Sequence, residues 1–346
     1  MLEKLTNDLA ASRNLSDEQI CLAVELLVVE TVPVTAKAEF LSQLAKKGET
    51  VAEISAFARA LREKSISPPI DVETRAREIL DVVGTGGDRL STFNISTTAA
   101  LLCAAAGVAV AKHGNRAVTS SVGSADVIEE LGLRVDLTPA EAARSLREHN
   151  FAFFFAPNYH PAFKHLAPAR KLCAERGQRT IFNILGPLLN PARPSACLIG
   201  VARPELCEPM ARVLQLLGAR RGMVVCGLAD GKHLDEFSTL GENTVAEFYQ
   251  ERGCTVSTLS PENFPLQPAT LADLRGGDKF VNAEIVRRIL RGDERGPKRD
   301  AVLINAAAAL FVANHARSLS EGWDLAAEMI DDGAAWKKLQ SLAQKP

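Results

Sequence analysis

Three glycines in four residues, Gly84, Gly86 and Gly87, lead into Asp88 in the loop GTGGD. Without side chains, such a backbone can approach a ligand closely and turn its N–H groups toward an anion. Two familiar phosphate signatures do not fit. Arg89 stands where G-x-G-x-x-G needs its last glycine, and no Gly-Lys-Ser/Thr ending completes a P-loop. The next stretch, TFNIST, puts Thr92, Asn94, Ile95, Ser96 and Thr97 at the expected start of a helix. Free N–H donors and the positive dipole end make that start a phosphate site, and Asn94 can cap it at the same time.

A second loop, KHGNRAVTS, runs through Lys112, His113, Gly114, Asn115, Arg116, Ala117, Val118, Thr119 and Ser120. Lys112 closes an apolar strand, which makes it a candidate ligand for negative charge. His113 reads as readily as a structural histidine as a contact residue. Ser124 continues the polar lining into the next helix. A third loop, LDEFS, carries the adjacent carboxylates Asp235 and Glu236. Alone, such a pair is a solvated turn. At a strand end beside phosphate-type loops it becomes a candidate for magnesium, which takes one or two carboxylates plus substrate phosphates and water. Arg170 lies in HPAFKHLAPARKL, either as a surface residue or as a guanidinium fork for a substrate carboxylate. No nucleophile elbow, His-Glu-x-x-His or zinc spacing is present.

The elements around these loops change character along the chain. The first 65 or so residues read as helices only, with capping boxes at Ser16/Gln19 and Thr50/Glu53. Pro68 and Pro69 break the pattern and mark a linker. Strands are then expected at 79–83, 108–112, 151–156, 196–201 and 222–227. Helices are expected at 95–106, 127–131, from Thr138, and at 301–313 with two shorter ones after it. The expectation is an α/β fold: a small N-terminal helical domain, 1–68, and a large α/β domain, 74–346, with a mostly parallel central sheet flanked by helices. Ligands then bind beyond the carboxyl ends of the strands.

The balance of the 346 residues fits this reading. Apolar residues make up 47% and the net charge is -2, which excludes disorder and argues against bulk electrostatic binding of nucleic acid or membrane. The longest apolar run, Ala99 to Ala111, is too short to span a bilayer, and the N-terminus lacks the order of a signal peptide. Seven cysteines without Cys-x-x-Cys spacing read as buried thiols of a cytoplasmic protein.

In order along the chain stand GTGGD, TFNIST, KHGNR, SVGSADVIEELG, APNYHP, RTIFNILGPLLNP and LDEFS. Together they resemble the anthranilate phosphoribosyltransferase family of tryptophan biosynthesis, over nearly the whole chain. The resemblance implies transfer of the phosphoribosyl group of 5-phosphoribosyl 1-diphosphate (PRPP) to the amine of anthranilate, releasing pyrophosphate. It is the second step from chorismate. It implies a homodimer through the helical domain, and a return of about 171–189 to that domain. Gly84, Gly87, Asp88, Thr92, Asn94 to Thr97, Lys112 to Ser120 and Ser124 would surround PRPP. Gly84, Asn115 and Arg170 would meet anthranilate. Ser96, Asp235 and Glu236 would hold magnesium, two ions per site, with Lys112, Asp235 and Glu236 as electrostatic candidates and no certain catalytic residue. Two departures stand out: Arg89 replaces a glycine of many relatives, and RKLCAERGQRTIFN is one or two residues longer than usual. A pyrimidine nucleoside phosphorylase and a non-catalytic nucleic-acid-binding relative are the alternatives. The first lacks its lysine-serine signature here; the second would need a damaged GTGGD loop and a basic surface.

Overall fold

The structure is a computed structural model that describes residues 1–117, 122–250 and 252–343. Four helices come first: α1 (Leu2–Ala10), α2 (Asp17–Val28), α3 (Val34–Lys47) and α4 (Val51–Glu63). Both expected capping boxes form, at Ser16 and Thr50. In the second, Glu53 also accepts from the Leu15 backbone N–H at 3.0 Å and from Lys47 Nζ at 2.7 Å, with both charged side chains nearly fully buried. One carboxylate thus ties the start of α4 to the α1–α2 turn and the end of α3.

Past the diproline segment come α5 (Val72–Ala76), β1 (Ile79–Gly84), α6 (Ile95–Ala105) and β2 (Ala109–Gly114). Next are α7 (Ser124–Glu130), α8 (Pro139–His149), β3 (Phe151–Phe155), α9 (Ala156–Tyr159), α10 (Ala167–Glu175), α11 (Phe182–Leu185) and β4 (Ala196–Gly200). The chain continues through α12 (Cys207–Leu216), β5 (Arg221–Ala229), β6 (Lys232–Leu234), β7 (Asn243–Tyr249) and β8 (Thr255–Leu259). It ends with α13 (Lys279–Arg291), α14 (Pro297–Val312), α15 (Leu319–Asp331) and α16 (Ala334–Leu342). The sheet order is β3-β2-β1-β4-β5-β7-β8, with β6 beside β5. The pairs from β3 to β5 are parallel, and β6, β7 and β8 pair antiparallel.

Side chains alternate across this sheet, so both faces are covered. Leu80, Val82, Val110, Phe153, Leu198 and Val225 pack against α6, α7 and α13–α16. Ile199, Val224, Cys226 and Phe248 face α12 and share one core with α1–α4 and with Leu166, Cys173, Phe182 and Leu189. The segment 166–189 therefore packs with the N-terminal helices. Lys37 Nζ donates to His165 O at 3.0 Å and Ser42 Oγ to Gln178 Oε1 at 2.6 Å.

Several details differ from the sequence expectation. β2 runs two residues further, because β3 pairs with it as far as Gly114 opposite Phe155. α7 starts at Ser124 rather than at Val127. The antiparallel strands β6, β7 and β8 and the helix α13 were not expected. Five of the seven cysteines are buried; Cys21 is exposed and Cys254 half-buried. Among the described residues, no helix is long and apolar enough to cross a membrane. Replacing Glu53 with Ala would take from Lys47 its ion pair and from the Leu15 N–H its acceptor. We expect a loss of about 3 kcal/mol, read as a lower urea midpoint; a change under about 1 kcal/mol would contradict this role.

Candidate active site

The loops meet at the carboxyl ends of β1, β4 and β5. β5 does not lead straight to the acidic pair. It continues to Ala229, turns at Asp230 and Gly231, and returns as β6, so that Asp235 and Glu236 fold back over the ends of β1 and β4. Only glycine permits that approach. A Cβ on Gly84 would overlap the Asp235 carboxylate, and one on Gly200 would overlap the Asp235 carbonyl. Two buried amides lock the segment that follows. Asn305 of α14 accepts from Phe237 N at 3.0 Å and donates to Phe237 O at 3.1 Å. Asn243 accepts from Ser238 N at 2.7 Å.

Both carboxylates lie beneath the loops and are held by main-chain donors. Gly86 N donates to Asp235 Oδ2 at 2.6 Å, and Ser96 N donates to Glu236 Oε1 at 3.1 Å. Burial, then the charges of Asp88 and Glu236, push the Asp235 carboxyl well above the usual range. Burial also raises Glu236, against the opposing pull of Lys112. Asp88 accepts from Leu90 N through Oδ1 at 3.1 Å, while its buried Oδ2 has no partner. Three acids thus share a region with too little positive charge. Among the described residues, no three His, Cys, Asp or Glu side chains converge to cage an ion alone. The donors suit a cation that completes its shell with substrate oxygens and water.

Lys112 sits differently from expectation. Its ammonium is turned inward, 1% exposed, and donates to Val82 O at 2.7 Å. Burial lowers its pKa, and Asp81 and Glu236 oppose that shift. It acts on Glu236 from below rather than reaching out of the loop. On the other face of the sheet, Asp81 accepts from His113 N at 3.3 Å and from Asn190 Nδ2 at 2.8 Å. Burial lifts Asp81 to about 6.

Asn94 is the cap residue of α6, but its side chain does not cap; Oδ1 accepts from Asn282 Nδ2 at 3.0 Å. Thr97 is buried and its Oγ1 has no partner. Thr92 bridges to Arg275, and Ile95 is core. Gly87 and Arg89 both have positive φ, 87° and 59°. A glycine at position 89 would hold that backbone without strain. Arg89 is exposed.

Asn115, Arg116 and Ala117 form an exposed rim beyond half-buried Gly114. Asp126, which the sequence reading passed over, gathers this rim. It accepts from Ala117 N at 3.2 Å and Gly123 N at 2.9 Å, and pairs with Arg116 at 3.0 Å. Arg116 also pairs with Glu129 at 2.9 Å, so its charge is largely met within the protein. Ser124 Oγ donates to Asn115 O at 3.4 Å. Val118, Thr119 and Ser120 lie outside the described residues.

Arg170 belongs to α10, connected to the β2 end by a row of rings. His113 and His160 are 5.5 Å apart, His160 and Phe163 5.0 Å, and Phe163 and Phe182 5.8 Å. The Arg170 guanidinium lies 5.2 Å over the Phe182 ring, and burial lowers its pKa. Among the described residues it forms no ion pair, so its fork is available for a planar carboxylate. Burial first, then each other's proximity or that of Arg62, keeps both histidines neutral, His113 at about 3 and His160 at about 4.

The helical bundle domain of the glycosyl transferase family matches residues 2–65, and the a/b domain of that family matches 76–336. The anthranilate phosphoribosyltransferase of Petrotoga mobilis is 46% identical over 331 residues, 96% of this chain and 93% of that protein. The crystal structure of the Thermus thermophilus anthranilate phosphoribosyltransferase superposes with a TM-score of 0.88, at 41% identity, covering 98% of each chain. The Saccharomyces cerevisiae enzyme in complex with PRPP and Mg gives a TM-score of 0.86 at 28% identity, over 99% of this chain and 96% of that one.

The depressed histidine values carry a checkable consequence. A ring whose folded pKa lies below its unfolded value of about 6.5 adds stability above that pH, lost as pH falls toward the folded value. In an NMR titration, the His113 and His160 ring signals are expected to stay those of neutral imidazole from pH 8 to 5. A midpoint near 6.5 for either would contradict the geometry.

Proposed function

The chain belongs to the glycosyl transferase family and, within it, to the anthranilate phosphoribosyltransferases, and from that premise we propose how its residues divide the work. It transfers the phosphoribosyl group of PRPP to the amine of anthranilate and releases pyrophosphate. The observation that carries the division is the pair of adjacent carboxylates, buried Asp235 and half-buried Glu236, beside the partnerless Asp88 oxygen.

Asp235 and Glu236, with Ser96 in the first turn of α6, would hold magnesium bound with PRPP. Bound there, the metal would neutralise the pyrophosphate and favour its departure. The loop 84–88 presents main-chain donors to the diphosphate. The α6 start presents the Asn94 amide and the dipole end. Lys112 offsets the charge of Glu236 from beneath and leaves the rest to the metal. On the rim, Asn115 to Ala117, braced by Asp126, and Ser124 face the ribose phosphate. Arg170 orients anthranilate through its carboxylate, with Gly84 and Asn115 on its near side. As the anomeric bond breaks, the ribose gains oxocarbenium character and pyrophosphate departs with the bonding pair; the positioned amine attacks and, after bonding begins, loses its proton to the released pyrophosphate or to water, so no dedicated base is required. Positioning supplies most of the advantage. Neutral His113 and His160 can wall this path without adding charge.

Three finer assignments belong to this reading. Two magnesium ions are proposed per site, counted by manganese titration. The segment 166–189 is assigned to the helical domain because it shares that domain's core. That domain is proposed to pair two copies, with exposed Val29 and Val34 as apolar contacts; a monomer in sedimentation velocity would refute the pairing.

The test is loss of anthranilate fluorescence with PRPP and magnesium. Wild type is expected to turn over with both present, and Asp235→Asn with Glu236→Gln to lose at least about a thousandfold. Retained activity would refute the metal assignment, and phosphorolysis of uridine in place of transfer would move the chain to the nucleoside phosphorylases. Arg170→Ala is expected to raise the anthranilate KM about tenfold or more while leaving the PRPP KM within twofold. The reverse pattern would remove Arg170 from that role.

A further inference from the structure

The chain has a second brace on its phosphate side, supplied by a segment nearly two hundred residues away. Residues 91–93 are zipped to 274–276. Phe93 N donates to Leu274 O at 3.2 Å, Gly276 N to Ser91 O at 2.9 Å, and Thr92 bridges Arg275. Asn282, 2% exposed on the first turns of α13, completes the contact. Its two amide ends are used differently. Oδ1 accepts from Gly277 N at 2.8 Å, and Nδ2 donates to Asn94 Oδ1 at 3.0 Å. A Cβ on Gly276 would overlap Asn282 Oδ1 and lie 2.9 Å from Phe93 Cα, so the turn is shaped around this amide.

The orientation follows without ambiguity. A backbone N–H can only donate, so the Asn282 end facing Gly277 is the oxygen. Its NH2 end then faces Asn94, and Asn94 must answer with its own oxygen. The Asn94 NH2 is thereby turned away from Asn282, and among the described residues it donates to nothing. It is left at the positive end of α6 as a donor for an anion.

We propose that Asn282 is a positioning residue that sets the amide of Asn94 with its donors toward the phosphates of PRPP. The proposal rests on the reading of the Asn94–Thr97 turn as part of the PRPP site. Asn282→Asp tests it. The carboxylate still accepts from Gly277 N, so the turn and the fold persist. It cannot donate to Asn94, whose amide must rotate and present oxygen to the ligand.

The readout is magnesium-PRPP affinity by titration calorimetry, which does not depend on the acceptor. N282D is expected to weaken PRPP binding about tenfold or more, to leave the anthranilate KM within twofold, and to melt within a few degrees of wild type. Asn94→Ala is expected to weaken PRPP to a similar extent. In the N94A background, adding N282D is expected to change the affinity less than twofold, because the amide it orients is gone. Unchanged PRPP affinity in N282D overturns the proposal. So does a full effect of N282D on top of N94A, which would mark a simple charge effect, and so does an equal rise in both substrate constants with a collapsed melting temperature. Wild type that binds PRPP but does not react with anthranilate would fail the acceptor assignment alone. Wild type that binds no PRPP would overturn both.

Discussion

Two adjacent carboxylates, Asp235 buried and Glu236 half-buried, are met among the described residues mainly by main-chain N–H groups and one inward lysine. Asp235 leans on Gly86 N and Glu236 on Ser96 N, while Lys112 stays fixed on Val82 O. Burying like charges is costly unless something positive arrives, and the raised carboxyl pKa values express that cost. The rest of the fold enforces this arrangement. Gly84 and Gly200 leave the room, the hairpin at Asp230 and Gly231 supplies the reversal, and Asn305 and Asn243 hold the backbone beyond Glu236. A site kept electrostatically unsatisfied by rigid elements favours a ligand that carries its own cation.

The parallel sheet explains why these parts converge. Its carboxyl ends deliver the glycine loop, the Lys112 loop and, through the hairpin, the acids to one rim. The two faces do different work there. The face toward α6 carries Lys112 and Glu236; the face toward the helical bundle carries Asp81, His113 and the row of rings that ends at Arg170. A charged diphosphate and a flat aromatic acid need such different surroundings. The first calls for aligned donors and metal, the second for neutral rings and a single guanidinium.

Much of this was legible in the residues. GTGGD after an apolar strand, the polar helix start at TFNIST and the acidic pair in LDEFS each announce their chemistry locally. The α/β alternation and both N-terminal capping boxes are local as well. Other features were written locally but passed over. Asp230-Gly231 is a two-residue hairpin signal, and both residues have positive φ. Asp278 caps α13 and Gly292 stops it in the left-handed region. What no local pattern reveals is the long-range amide pairing. Asn190 reaches Asp81, Asn305 reaches Phe237 and Asn282 reaches Asn94 only once the sheet and helices are assembled. The inward turn of Lys112 is of the same kind, since a strand-end lysine reads identically whether it faces the ligand or the sheet.

The central claim is that Asp235 and Glu236 are held apart from full compensation in order to receive a metal together with PRPP. Anomalous diffraction from crystals soaked in manganese and PRPP tests it most directly. The account predicts an anomalous peak bonded to oxygens of Asp235 or Glu236 and shared with the diphosphate. Manganese elsewhere on the molecule, with both carboxylates still bound to Gly86 and Ser96 alone and PRPP seated without them, would contradict it.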